Sequence, residues 1–214
     1  MVALPMFPLG TVLVPGGVMP LHVFEPRYRQ MVKDCMAADA EFGVTLIERG
    51  WEVGGGDVRS DVGTVAKIVE IAELDDGRYA LIAVGVRRIK VSRWLSDDPY
   101  PRADVEEWPD VDEPDGTATA EHDNDLSAAV ASAMSQLRRV LALASEAGDD
   151  VSPATTEVAD DPVLATYHAA ALAPVGPADR YRLLAAPGPW RRIAILGELL
   201  ADAEEILRLR LAGG

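Results

Sequence analysis

The chain holds a single cysteine, Cys35. No disulfide can form within it, so its stability has to come from packing. A thiol-poor chain suits a reducing compartment, and a cytoplasmic location is expected. Lysine is scarce too: Lys33, Lys67 and Lys90 are the whole set, and none follows a glycine. The Gly-Lys-Ser/Thr end of a phosphate-binding loop is therefore absent. Apolar runs such as Ala80 to Val84 fall far short of the roughly 20 residues a membrane helix needs. The opening Met1-Val2-Ala3-Leu4-Pro5 has no basic residue ahead of its apolar stretch, so neither a secretory leader nor a membrane partner is expected. His22, His122 and His168 stand far apart and share no metal-ligand spacing. No Gly-x-Ser-x-Gly elbow occurs, and Cys35 lies on the apolar stripe of an expected helix, where a buried small hydrophobe is the ordinary reading. No cofactor, metal or catalytic set is expected.

Acid is abundant. The net charge is −15, and it is concentrated in the middle of the chain. Residues 1–108 carry 17 acids and 12 bases, residues 109–161 carry 13 and 2, and residues 162–214 carry 5 and 6. Nucleic-acid binding needs clustered Lys and Arg to neutralise phosphates, so a nucleic-acid partner is disfavoured.

The first half reads as strands. Leu4 to Val14 is apolar but broken by Pro5, Pro8 and Gly10. Val18 to Phe24, Phe42 to Glu48 and Val62 to Leu74 follow, with a Gly-rich loop at 48–61. Asp75-Asp76-Gly77 is a hairpin turn. Beyond it Tyr79, Leu81, Ala83 and Gly85 alternate onto one face. Arg102 to Trp108 closes the β part. One helix interrupts it: Pro26 suits a first turn, and Tyr28, Met31, Val32, Cys35 and Met36 recur at helical spacing. After the acidic stretch the period becomes helical throughout, over Leu126 to Ala147, Pro162 to Ala173, Pro177 to Leu184 and Trp190 to Leu211. Strands followed by helices predict an α+β fold: a β-rich, barrel-like part at 1–110 with one helix, an acidic linker at 111–125, and a helical bundle at 126–214.

The junction His22-Val23-Phe24-Glu25-Pro26-Arg27-Tyr28 places aromatic, acidic and basic side chains where a strand turns into a helix. His22, Phe24, Glu25, Arg27 and Tyr28 are candidate peptide contacts there, against the alternative that Phe24 and Tyr28 fill the core and Glu25 with Arg27 forms a cap. Trp51, in the Gly-rich loop, is a further candidate, because loops carry function.

Several segments in order carry a resemblance. The run from Leu4-Pro5 through Pro8-Leu9, Pro15-Gly16 and Pro20-Leu21 is similar to the opening of the Lon N-terminal domain family. Phe24-Glu25-Pro26-Arg27-Tyr28 continues it. Val62-Gly63-Thr64-Val65-Ala66, the hairpin from Gly77 to Ile89, and Pro99-Tyr100-Pro101-Arg102-Ala103-Asp104-Val105 extend it nearly to the end of the β part. Lon proteases also carry an ATPase module and a Ser-Lys protease domain, and this chain shows no counterpart of either. The resemblance therefore implies a stand-alone, non-catalytic module for binding unfolded or exposed peptide segments. An adaptor role in protein quality control, beside a separate ATP-dependent protease, would follow. The alternative is a small-ligand sensor with a pocket between the β part and the bundle. The oligomeric state is not legible.

Overall fold

A computed structural model describes residues 2–49, 58–111 and 120–213. Contacts divide the chain into two units, Met1–Pro109 and Asp110–Gly214.

The first unit holds β1 (Val2–Leu9), β2 (Val18–Val23), α1 (Pro26–Met36), β3 (Glu41–Arg49), β4 (Val58–Glu73), β5 (Tyr79–Trp94) and β6 (Arg102–Glu107). The sheet order is β2-β5-β4-β3-β1-β6, and β6 also pairs with β5. That second pairing closes β5, β4, β3, β1 and β6 into a ring and leaves β2 attached outside it. β1 runs parallel to β3, while every other pairing is antiparallel. Closure pairs the end strand β6 back onto β5, which leaves β2 as the edge strand of the sheet.

β5 makes this possible by changing face midway. Val65 pairs with Arg87 and Ala66 with Gly85, so Val86 has no opposite residue and forms a bulge. Before the bulge, Tyr79, Leu81 and Ala83 pack with Met31, Val32 and Cys35 of α1. Beyond it, Ile89 and Val91 pack with Met6, Val65, Ala103 and Val105 inside the ring. Gly85 has a further duty. Its N–H donates to Gly17 O at 2.9 Å, and a Cβ there would collide with the Val14 carbonyl. The 10–17 segment lies close on β5 because this residue has no side chain.

α1 begins as the sequence predicts. Pro26 occupies its first turn, and Tyr28, Met31, Val32 and Cys35 are buried. Met36, expected on the same stripe, is 45% exposed. Burial, helped by the Asp34 carboxylate, pushes the Cys35 thiol from 9.0 up to about 12. Tyr100 donates a 2.8 Å hydrogen bond to Asp34. Burial first, and then that bond, raise its phenol to about 12.

The second unit is the helical bundle α2 (Ala120–Glu146), α3 (Pro162–Leu172), α4 (Pro177–Leu184) and α5 (Pro189–Gly213). Each of the last three starts on a proline, where the missing N–H costs nothing. Asp161 caps α3 by accepting from the Leu164 N–H at 2.7 Å. α2 starts at Ala120, earlier than the sequence reading placed it. That start falls within the stretch expected as the acidic linker at 111–125.

Arg192 is fully buried in this bundle. It donates to Asp110 Oδ1 at 2.6 Å and Oδ2 at 3.2 Å, to Thr166 Oγ1 at 2.7 Å and to Leu183 O at 3.2 Å. Its guanidinium lies 3.6 Å from the Tyr167 ring centre, and the Tyr167 hydroxyl donates to Asp110 at 3.0 Å. Read in sequence, Asp110 belongs to the acidic stretch that begins the linker. In the structure it is the counter-ion of a buried guanidinium.

Two expectations follow. Asp110→Ala leaves Arg192 charged and unpaired, and should destabilise the bundle by roughly 3–5 kcal/mol in denaturant unfolding, whereas replacing both partners, Asp110→Leu with Arg192→Met, should cost less. The second concerns alkaline pH. The unfolded chain releases the Cys35 and Tyr100 protons from about pH 9 and 10, while the folded state holds both to about 12. Stability is thus fully present below pH 9 and declines as pH rises towards 12. Melting temperatures between pH 8 and 11 should fall, and Cys35→Ala should flatten part of that fall.

Candidate functional site

The junction between β2 and α1 brings three of the sequence candidates together. Glu25 precedes α1 but makes no side-chain cap. Its carboxylate instead accepts from Arg27 Nε at 3.0 Å. The Arg27 guanidinium lies 4.5 Å from the Tyr28 ring centre. Tyr28 is only 3% exposed and stacks on Phe7 at 4.1 Å. Tyr28 is therefore a core residue with no face left for a ligand, and Glu25 with Arg27 closes the core above it. Phe24, by contrast, is 56% exposed, and His22 is exposed on the strand before it. Trp51 lies outside the described residues.

His22 belongs to a larger surface. The registers of β2 with β5 and of β5 with β4 align three rows across one face: Val18–Val84–Lys67, Pro20–Ile82–Glu70 and His22–Ala80–Ala72. The opposite face of the same strands carries Met19, Ala83 and Ile68 into the core under α1. The outer rows are mostly apolar, yet Val18 is 67% exposed. Fully burying an aliphatic side chain of this kind is worth roughly 1.5–3 kcal/mol. A sheet that leaves several of them in water forgoes that stability, as interaction surfaces do.

The face ends in an overhang. β3 pairs with β4 only as far as Glu41 opposite Lys67, with a last bond from the Ile68 N–H to Ala40 O at 2.9 Å. β4 runs on to Glu73, and Val69 to Glu73 are exposed at every position. Val69, Ile71 and Leu74 all stand among the large exposed apolar residues. Sequence reasoning passed over this stretch as ordinary strand. A signal was present: the expected strand ending at Leu74 was nearly twice as long as the one expected at Phe42 to Glu48, so part of it had to lack a neighbour on that side.

Carboxylates fringe the overhang. Asp76 accepts from the backbone N–H of Arg78 at 3.1 Å and from its guanidinium at 2.6 Å, and these bonds, the backbone one first, hold its carboxyl below the usual range. Glu70, Glu73 and Asp75 have no ion-pair partner among the described residues. The Arg29 side chain of α1 occupies the space that a Cβ on Gly77 would take, and Gly77 has a φ of +74° that suits glycine in any case. Among the described residues no three His, Cys, Asp or Glu side chains gather as a metal site, and no helix is long and apolar enough to cross a membrane.

A family model described as the ATP-dependent protease La (LON) substrate-binding domain matches residues 3–202. The Lon protease 2 of Herpetosiphon aurantiacus is 28% identical over 211 residues, which is 96% of this chain and 24% of that protein. The Lon protease of Anaeromyxobacter dehalogenans is 34% identical over 106 residues, 48% of this chain and 12% of that one. The chain thus spans about a quarter or less of the length of these relatives. Among solved structures, a Lon N-terminal domain protein from Xanthomonas campestris aligns with a TM-score of 0.62 at 30% identity, covering 94% of this chain and 98% of that one. The N-terminal domain of a Lon protease from the Mycobacterium avium complex shares the fold at 20% identity, with a TM-score of 0.64 and the same coverage. A ring-closed β unit carrying one helix, followed by a helical bundle, is thus the architecture of the Lon substrate-binding domain family, to which this chain belongs.

Proposed function

We propose that this chain binds exposed, extended segments of other polypeptides on the outer β2–β5–β4 surface and acts as a non-catalytic adaptor in protein quality control. The observation that carries the reading is the exposure of all five residues from Val69 to Glu73 beside an apolar sheet face. An unfolded chain differs from a folded one in two ways: its aliphatic side chains and its backbone N–H and C=O groups are both available. The outer face offers apolar area to the first, and an open strand edge offers hydrogen bonds to the second. Neither interaction needs ATP. Unfolding and cleavage of the bound segment fall to a separate ATP-dependent protease. The net charge of −15 favours basic clients and speeds their encounter at low salt.

Fluorescence anisotropy with a reduced, carboxymethylated client and with the same protein folded checks the reading. Saturable binding to the unfolded form, at least about tenfold tighter than to the folded form, is expected. Equal affinity for both forms, or none for either, contradicts it.

A further inference from the structure

The sheet has two open edges near this surface, and their hydrogen-bond phase separates them. On β2, the Gly85 N–H donates to Gly17 O at 2.9 Å. The alternation of an antiparallel ladder then directs Met19, Leu21 and Val23 to β5, and the backbone of Val18, Pro20 and His22 to the open side. Pro20 has no N–H to offer there, and its ring obstructs an incoming strand, which blunts the edge.

On β4 the phase is set by the hairpin turn. The Leu74 N–H donates to Arg78 O at 2.8 Å. With Ala72 opposite Ala80 and Glu70 opposite Ile82, the same alternation directs Leu74, Ala72 and Glu70 to β5. The N–H and C=O groups of Ile71 and Glu73 point away from it. Among the described residues no strand pairs with β4 past Lys67 on that side, and the stretch contains neither proline nor lysine. This edge is free to extend the sheet.

Its side chains select what extends it. Ile71, 38% exposed, and Val69, 54% exposed, offer aliphatic contacts. Glu70 and Glu73 flank Ile71 and have no partner among the described residues. Cross-strand neighbours lie about 4.5–5.5 Å apart at Cβ. Resting on the binding function proposed above, we infer that the β4 edge at Ile71 and Glu73 takes up, by strand addition, a polypeptide segment with an aliphatic residue opposite Ile71 and Lys or Arg opposite Glu70 and Glu73. The two basic residues are then three positions apart on the incoming strand, one on each face. A second copy of this chain is the wrong occupant, because it would bring a second set of these carboxylates to the same edge.

Two variants test the assignment with short fluorescent peptides centred on Lys-Thr-Ile-Lys and on Glu-Thr-Ile-Glu, which as antiparallel strands bring their Ile opposite Ile71 and their charged residues opposite Glu73 and Glu70. Ile71→Pro removes an N–H that bonds nothing in β5, and the edge position tolerates the ring. The double variant Glu70→Lys with Glu73→Lys reverses the flanking charge. The wild type should prefer the basic peptide. I71P should weaken that binding about tenfold or more, and the charge-reversed chain should prefer the acidic peptide. Unchanged affinity and preference in the charge-reversed chain overturns the inference, and it decides the matter by itself should I71P fail to fold. The carboxymethylated client is measured alongside. If both folded variants bind it as the wild type does, the β4 edge is wrong while the broader function stands; a wild type that never binds the client sinks the broader function itself.

Discussion

The first unit depends on one strand being bonded along both its edges. β5 pairs with β2 and β4 over its first half, and with β4 and β6 over its second. The bulge at Val86 lets the two halves face different cores. A ladder without it would hold one alternation throughout, and a one-residue slip turns every side chain to the other face. With the bulge, Leu81 and Ala83 lie under α1, and Ile89 and Val91 fill the ring. The ring closes through β6, and among the described residues β2 pairs with β5 alone.

The exposed overhang follows from the same constraint. β5 requires β4 beside its first half, so β4 must reach Glu73. β3, however, enters the sheet from α1 through the turn at Ala37–Ala40, and its pairing cannot begin before that turn ends. β4 therefore outruns its other neighbour by six residues, Ile68 to Glu73. The free edge is a product of the topology, and Glu70 and Glu73 place negative charge beside it. In the proposed function, a surface made of aliphatic side chains and unpaired amides would recognise the unfolded condition itself, which suits a member of a substrate-binding family. The acids would narrow that recognition without specifying a single sequence.

Much of this was legible in the amino-acid order. Pro26, Pro162 and Pro177 mark helix starts because proline fits a first turn, and the alternation of Tyr79, Leu81 and Ala83 gives the buried face of β5 directly. What was not legible involves partners distant in sequence. Asp110 and Arg192 lie 82 residues apart, and nothing in an acidic run distinguishes the one carboxylate that is buried. Ring closure by β6 depends on two strands meeting one. Exposure divides the sequence candidates at the β2–α1 junction. His22 and Phe24 are accessible, whereas Tyr28 is in the core, because an aromatic on the first turn of a helix over a sheet buries its area first. Ile71 and its neighbours looked like any strand, since exposure at an edge depends on where the adjacent strand stops.

Residue-resolved amide hydrogen exchange tests the central claim most directly. In the free protein the amides of Ile71 and Glu73 should exchange freely, while those of Glu70 and Ala72 are protected by β5; saturating unfolded client should then slow exchange at Ile71 and Glu73. Protection at those two amides before any client is added, or client-induced protection confined to other parts of the chain, contradicts the account.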